Sequence, residues 1–324
     1  MSRTPAASAT GQLQDRIEPY RRELTGYCYR MLASPFEAED AVQETMLRAW
    51  RGLERFEGRS ALRSWLYRIA TNVCLDMLSG RSRRARPMDL GPASAPLAEN
   101  LNTLGEASWI QPIPDDALTS DPAELALTRE TVRLAFIAAL QHLPARQRAA
   151  LILCEVLHWK ASEVAELLET SVASINSALQ RARASISVNE SEPVAAVDES
   201  QRELLAAYVQ AFEAYDIDAL TKLIQKDATQ SMPPYDMWLQ GRKDILSWWF
   251  GPGIECRGSR LLPARGANGS VAFAQYKPSP AGGFDPWALQ VLDLAENGIL
   301  EFTFFLDTER VFPLFGMPAR LSAE

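Results

Sequence analysis

The sequence predicts a multidomain protein: two all-α segments followed by a C-terminal α+β domain. Three observations carry this. Apolar residues recur at three- and four-residue spacing from Leu13 to about Gly80, and again from about Ala123 to about Val188. Between these stretches, residues 87–122 hold six prolines and few aromatic residues, the composition of a linker. After residue 200 the helical pattern gives way to short strand-like runs broken by Asn268-Gly269, Gly282-Gly283 and Asn297-Gly298.

At 324 residues the chain can hold two or three domains, each with its own core. A 47% hydrophobic and 23% charged composition is ordinary for a globular protein. No apolar run approaches the length that spans a bilayer. The start, MSRTPAASATGQLQD, lacks the apolar stretch of a secretory signal and reads as a disordered lead-in over residues 1–12. Cys28, Cys74, Cys154 and Cys256 are far apart and form no metal-ligand spacing, which predicts reduced thiols in a cytoplasmic protein without metal or cofactor.

The net charge of −8 is unevenly spread. Residues 1–86 carry 15 Lys and Arg against 10 Asp and Glu, whereas 87–199 carry 7 against 16 and 200–324 carry 11 against 15. The basic surplus ends in Arg81, Arg83, Arg84 and Arg86, where phosphate contacts are expected.

Within the first segment, residues 13–86, Ser34-Pro35 predicts a turn before a helix from about Phe36, with Glu37, Glu39 and Asp40 favoured by the helix dipole. Val42, Met46, Ala49, Trp50 and Leu53 form its apolar repeat. Asp40, Gln43, Glu44, Leu47 and Arg48 form a second stripe, suited to a partner helix; the alternative is a solvated acidic helix. Phe56-Glu57-Gly58-Arg59-Ser60 breaks the pattern, with Ser60 as the next N-cap. Arg63, Trp65, Tyr67, Arg68 and Asn72 then place rings beside cations, a mix that stacks bases and tracks phosphates of a single strand. Trp65 reads equally well as a core aromatic.

The second segment, residues 123–188, fits a helix-turn-helix. Ala161–Leu168 would support, Glu169-Thr170-Ser171 turn, and Val172–Arg183 recognise. Val172, Ile175 and Leu179 share a face expected to be buried. Asn176, Ser177, Gln180 and Arg181 point elsewhere, towards base edges or phosphates, and Arg183 towards a phosphate. A plain helical hairpin with a solvated polar face is the alternative.

After a polar connector at 189–200, residues 201–318 predict helices at Gln201–Tyr215 and Ile217–Lys226, a short strand near Ala228–Met232 and a helix near Arg242–Phe250. Strand candidates at Cys256–Ala264, Val271–Lys277, Trp287–Ala295 and Leu300–Leu306 would complete a curved antiparallel sheet.

The run DAVQETMLRAW, then FEGRSALRSWLYRIATN, then LPARQRAALIL resembles the extracytoplasmic-function (group IV) branch of the sigma-70 family, over about Leu13–Arg86 and Glu124–Arg183. The resemblance implies that the first segment is sigma region 2, docking through Asp40, Gln43, Glu44, Leu47 and Arg48 on the β′ clamp helices of core RNA polymerase. It implies that Phe56, Trp65 and Asn72 lie near the melted −10 strand, where a flipped base is captured, with Arg63, Arg68, Arg81, Arg83 and Arg84 nearby. The second segment resembles region 4, which would meet the β flap and read the −35 element of promoter DNA through Ser174, Asn176, Ser177, Gln180, Arg181 and Arg183. Region 3 is missing, as this branch implies. The branch commonly has a Lys and an Arg where Asn176 and Ala178 stand, and losing two cations should weaken −35 affinity.

Residues 201–315 resemble a SnoaL-like domain, the cone-shaped α+β fold shared with nuclear transport factor 2, through AYVQAFEAYDIDALTKLIQKDA, SMPPYDMWLQGR and FLDTERVFPLFGMP. The resemblance implies an attached regulatory domain, and the apolar WIQPIPD stretch, with Trp109 and Ile110, is a natural docking segment for it. A cone fold has a pocket that Tyr235, Trp238, Trp248, Trp249, Phe273 and Trp287 could line and that could take a small ligand. Asp216, Asp236 and Asp285 are candidate acid/base groups. Both histidines, His142 and His158, lie outside this domain, so a His–Asp proton shuttle is unavailable and no enzymatic role is expected. A ligand-sensing helix-turn-helix regulator and a polyketide-cyclase-like enzyme with DNA-binding appendages are the alternatives.

Overall fold

A computed structural model of the chain describes residues 16–52, 56, 61–119, 129–186 and 199–323. It divides into two units: the chain through Arg84 with Ala117–Glu190, and Ala85–Asp116 with Ser191–Glu324. The lead-in at 1–12, the Ser60 cap and most of the 189–200 connector lie outside the described residues.

Unit one is helical. Helix α1 spans Arg21–Leu32 and buries Leu24, Tyr27, Cys28, Met31 and Leu32. It ends where Ala33 turns left-handed. Ser34 then accepts the Glu37 amide at 3.3 Å, and Pro35 occupies the first position of α2 (Pro35–Gly52), where its missing N–H costs nothing. Ala38, Ala41, Val42, Thr45, Met46 and Ala49 bury one stripe of α2. Helix α3, Leu62–Leu78, contributes Leu66, Tyr67, Ala70, Val73 and Cys74. A Tyr27–Thr71 hydrogen bond of 2.7 Å and an edge-on Tyr27–Tyr67 contact join α1 to α3.

Four further helices complete the unit: α4 (Leu134–Gln141), α5 (Ala145–Leu151, extended by a π turn to Val156), α6 (Ala161–Leu167) and α7 (Val172–Ile186). They are tied to α1 by buried guanidiniums. Arg148 donates to the carbonyls of Leu140 (2.9 Å), Gln141 and Leu143 (both 3.2 Å), to Gln141 Oε1 (2.6 Å) and to the Met31 carbonyl. Arg30 donates to the Thr131 carbonyl at 3.1 Å and its hydroxyl at 2.9 Å. Burial pulls both guanidiniums down to about 10, so both are charged at neutral pH.

Unit two is the α+β domain: α8 (Glu199–Ala214), α9 (Ile217–Leu223), β1 (Ile224–Ser231), β2 (Trp238–Gln240), α10 (Arg242–Phe250), β3 (Arg260–Pro263), β4 (Val271–Pro278), β5 (Phe284–Ala295), β6 (Gly298–Phe305) and α11 (Thr308–Phe315). The strand order is β2-β1-β6-β5-β4-β3. The sheet is not wholly antiparallel as expected: β1 and β6 run parallel, because the helices and hairpins between them form one long crossover. One face of the sheet packs Tyr208, Phe212, Trp249, Phe273, Phe302 and Phe304 into a core. Tyr276 takes the alternate side of β4 and meets Phe312 of α11 edge-on.

The stretch expected to be a linker is a strap up to Asp116, belonging to unit two. Pro112 and Pro114 supply no N–H, so Ile113 and Asp115 provide the backbone donors between and beside them. Both are bonded, Ile113 to Asn268 Oδ1 at 3.0 Å and Asp115 to the Gly266 carbonyl at 2.9 Å. Further along, the Ser94 amide donates to the Trp238 carbonyl at 2.8 Å and Leu104 to Pro234 at 3.0 Å. Trp109, Ile110 and Ile113 are buried.

The buried arginine of α5 should matter far more than a surface one. Arg148→Ala is expected to cost roughly 2–4 kcal/mol, since several acceptors lose a charged donor, and to lower Tm by on the order of 5–15 °C. Arg183→Ala, which removes an exposed ion pair to Glu155, is expected to cost under about 1 kcal/mol. Thermal denaturation of the two variants checks the contrast.

Candidate nucleic-acid and partner interfaces

Helix α2 presents its second stripe outward. Asp40, Gln43, Leu47 and Arg48 are exposed and Glu44 half-buried. Gln43 donates to Glu39 at 3.3 Å, and Arg48 pairs with Glu44 at 2.6 Å and Asp76 at 3.6 Å. Trp50 departs from the sequence reading: although it follows the helical repeat, it is 46% exposed, and Leu47 is 47% exposed. With Ile17, Glu18, Arg21, Gln43 and Met46 these two side chains line a groove of about 440 Å³. Apolar surface left open beside a polar stripe is the pattern of a partner interface. Trp50 and Ile17 were missed because periodicity reports a face of the helix, not whether the chain covers it.

Helix α3 brings the ring and cation set together. Phe56 and Trp65 lie 5.0 Å apart between ring centres, and the half-buried Trp65 packs against Gly52. Trp65, Arg68 and Asn72 follow one another at three and four residues, with Asn72 exposed. The cations are already engaged within unit one. Arg63 donates to Glu23 at 2.6 Å and lies over the rings of Tyr67 and Trp159, 5.4 and 5.3 Å from their centres. The carboxylate of Glu23 also takes the Tyr67 hydroxyl at 2.7 Å, and burial pushes the Tyr67 phenol up. Arg68 lies 3.7 Å from Glu166. Arg81 and Arg84 both reach Glu37, at 2.8 and 2.9 Å, and Arg84 is buried. Arg83 donates to His142 Nδ1 at 2.7 Å. Arg86 belongs to unit two, where Asp89 (3.3 Å) and Glu301 (4.0 Å) hold it.

Helices α6 and α7 form the helix-turn-helix, the turn closing where Glu169 adopts a left-handed conformation. The Lys160 amide donates to Glu163 at 2.8 Å at the start of α6, and Ser171 accepts the Ser174 amide at 3.1 Å at the start of α7. Ile175, Ala178, Leu179 and Ala182 form the buried seam. Val172, expected in that seam, is 43% exposed because it sits in the first turn, beyond the end of the packed stripe. Ser174, Asn176, Ser177, Gln180, Arg181 and Arg183 are all exposed. Only Asn176 of the two positions that depart from the branch's basic pattern faces outward; Ala178 is buried.

Unit two encloses a cavity of about 200 Å³ lined by Tyr235, Trp248, Trp249 and Trp287 among others. Trp238 and Phe273 do not line it: Trp238 donates to the Gly91 carbonyl of the strap at 2.9 Å, and Phe273 packs on Tyr208. Nor do the three aspartates singled out as acid/base groups. Asp216 caps α9 by accepting the Asp218 and Ala219 amides, and Asp285 pairs with Arg320 at 3.1 Å. Among the described residues no group of His, Cys, Asp and Glu is placed to hold a metal ion, and no helix is long and apolar enough to cross a membrane.

The candidate surfaces of α2, α3 and α7 fall within segments that two family models match. Residues 16–84 match the Sigma-70 region 2 model and residues 133–186 the Sigma-70, region 4 model. The chain is 46% identical to the ECF RNA polymerase sigma factor SigG of Mycobacterium tuberculosis over 329 aligned positions, covering 98% of this chain and 87% of that protein. It is 29% identical to the RNA polymerase sigma-H factor of Pseudomonas aeruginosa over 52% of its length and 80% of that protein's. Its fold matches the crystal structure of the M. tuberculosis extracytoplasmic function sigma factor SigJ with a TM-score of 0.62 at 19% identity, over 94% of this chain and 99% of that one. With similarity to SigG sustained over 98% of its length, through both units, and a C-terminal α+β unit included in the fold match to SigJ, the chain belongs to the ECF RNA polymerase sigma factors.

Proposed function

We propose that unit one docks on core RNA polymerase through the α2 groove and the β′ clamp helices, with region 4 on the β flap. Helix α3 then captures the melted −10 strand, α7 reads the −35 element, and unit two tunes initiation in a cytoplasmic protein that does no covalent chemistry itself. The observation that supports this best is α7, whose apolar seam is buried while six polar side chains stand exposed on the remaining faces. That is the layout of a helix able to enter a major groove. Promoter phosphates would exchange with the carboxylates of Glu23, Glu37 and Glu166 for the arginines of region 2. The Glu166 pair, with both side chains substantially exposed, is the cheapest of these to break.

The strap supports a role for unit two. The family matches are separated by residues 85–132, 48 in all. Ala85 and Trp109 are bridged side by side, with Ala85 bonded to Ser108 and Ile110 to Ala85. The Ala85–Trp109 bridge therefore loops out the residues between them and shortens the path between regions 2 and 4 to 110–132, 23 residues, of which 110–116 are themselves docked on unit two. A shorter tether raises the effective concentration of region 4 at the −35 element once region 2 is bound. The −3/2 power dependence on length makes the difference about threefold.

Leu47→Ala with Trp50→Ala is expected to weaken core polymerase binding at least tenfold, as loss of a half-exposed aromatic anchor does, with helicity by circular dichroism unchanged. Arg181→Ala should weaken promoter binding similarly across −35 sequences and reduce the salt slope by about one; an unchanged slope would show that this side chain meets no phosphate. Trp109→Ala with Ile110→Ala should release the strap, seen as faster exchange of the Ser94 and Leu104 amides. It should also lower in vitro initiation from the promoter upstream of the chain's own gene about threefold. Strap release with unchanged initiation would remove unit two from the mechanism. A full chain that neither binds core polymerase nor initiates would overturn the whole reading.

A further inference from the structure

The cavity of unit two has one polar group left without a partner. Gln230 of β1 is 1% exposed and lines the cavity. Its Oε1 accepts the indole N–H of Trp249 at 2.6 Å, which fixes the orientation of the amide. Its Nε2 is buried and makes no hydrogen bond. The neighbouring amides are fully used: Tyr208 donates to Gln290 at 2.7 Å, Gln290 to Gln275 at 2.9 Å, and Gln275 to Ser259 at 3.1 Å. A buried donor without a partner is costly and rare in a folded domain. Here it stands among Phe212, Tyr235, Trp248, Trp249 and Phe304.

The rest of the wall defines what could meet it. A cavity of about 200 Å³ exceeds the roughly 150 Å³ void that accepts benzene in an engineered protein core. There is room for one substituted ring. A register shift between Gln275 and Tyr276 leaves Trp287 unpaired on β5, and this bulge brings its indole to the rim, where the Lys277 ammonium lies 3.8 Å from its ring centre. Ala98 and Leu101 of the strap close another part of the wall.

We propose that this cavity binds a small, neutral, single-ring molecule bearing a carbonyl oxygen, which accepts the free Gln230 N–H while the ring fills the aromatic wall. Because the strap supplies part of that wall, occupancy holds the strap docked. The site deepens the tuning role given above to unit two and rests on it only for an effect on transcription.

The test compares acetophenone with α-methylstyrene, which has nearly the same shape but no acceptor, by calorimetric titration of the full chain. A purely apolar cavity binds α-methylstyrene more tightly, since it is the more poorly hydrated of the two. The proposal expects acetophenone to bind at least as tightly, and Gln230→Met to reverse the order. It also expects saturating acetophenone to slow exchange of the Ser94 and Leu104 amides. A preference for α-methylstyrene in the unmodified chain, or no binding of either, overturns the site, and this outcome needs no variant to fold. Acetophenone binding with slowed exchange but unchanged initiation supports the site and instead removes the tuning role.

Discussion

Residues 85–116 satisfy only part of their backbone on themselves, through short turns and the Ala85–Trp109 bridge, and much of this chain follows from where the rest of it bonds. Four prolines fall between residues 87 and 112, with a fifth at Pro114; each bars an α-helix or an internal strand around it, and over residues 87–112 the segment forms only short 3-10 turns at Pro87–Asp89, Ala98–Asn100 and Glu106–Ser108. Beside the amides that bond within the segment, four are placed on the edge and turns of the rest of unit two: Ser94 on Trp238, Leu104 on Pro234, Ile113 on Asn268, Asp115 on Gly266. The β3–β4 turn is the firmest of these anchors. Asn268 and Gly269 both adopt positive φ, 54° and 74°, as a tight hairpin turn demands. The same turn gives the Gly269 amide to Asp115 Oδ1 at 2.7 Å. Gly266 leaves room for that carboxylate where any side chain would strike it. One short turn thus closes the hairpin and fixes the end of the strap.

Unit one rests on the opposite device, a cation taken out of water. Arg148 and Arg30 stay charged at neutral pH because the carbonyls around them replace their hydration. Their partners lie on both sides of the 85–116 segment in sequence: Met31 before it, Thr131, Leu140 and Leu143 after it. The pairing of regions 2 and 4 within one unit is therefore polar and directional. Such contacts are strong when complete and fail together when a single donor moves. Arg63 and Arg68 of α3 use more exposed pairs, so on the proposed reading a competing phosphate could take them without disturbing the buried set.

The sequence made some of this legible and hid the rest for physical reasons. Helices α2, α3 and α7 were readable because their burial stripes span several turns, and Ser34-Pro35 and Asn268-Gly269 because they encode backbone geometry locally. The parallel β1–β6 pair was not, since partners as far apart as Ser231 and Thr303 leave no local trace. Strand β2 has three residues and α11 eight, too short for a period to show. At the interfaces, α7's outward residues followed from helical spacing, but Trp50 did not, because exposure depends on what the remainder of the chain fails to cover. The strap was misread as a spacer because proline content reports lost helix and sheet, not lost order. WIQPIPD was the visible exception, an apolar run too costly to leave in water.

The same distinction between a residue's identity and its place settles how the recognition helix differs from its branch. Counted along the sequence, Asn176 and Ala178 together replace two cations. In the structure Ala178 lies in the seam with Ile175, Leu179 and Ala182 and is 8% exposed. A cation there would have to unpack α7 from its neighbours, so the alanine is a packing choice. Asn176 alone changes the outer surface, and it exchanges a charge for an amide that can both donate and accept. An amide pairs well with an adenine edge, whereas a lysine or arginine favours guanine or a phosphate. On the proposed −35 reading, the departure would alter which base is preferred at one position more than it would weaken affinity overall, with Arg181 and Arg183 left as the cations near the helix's end.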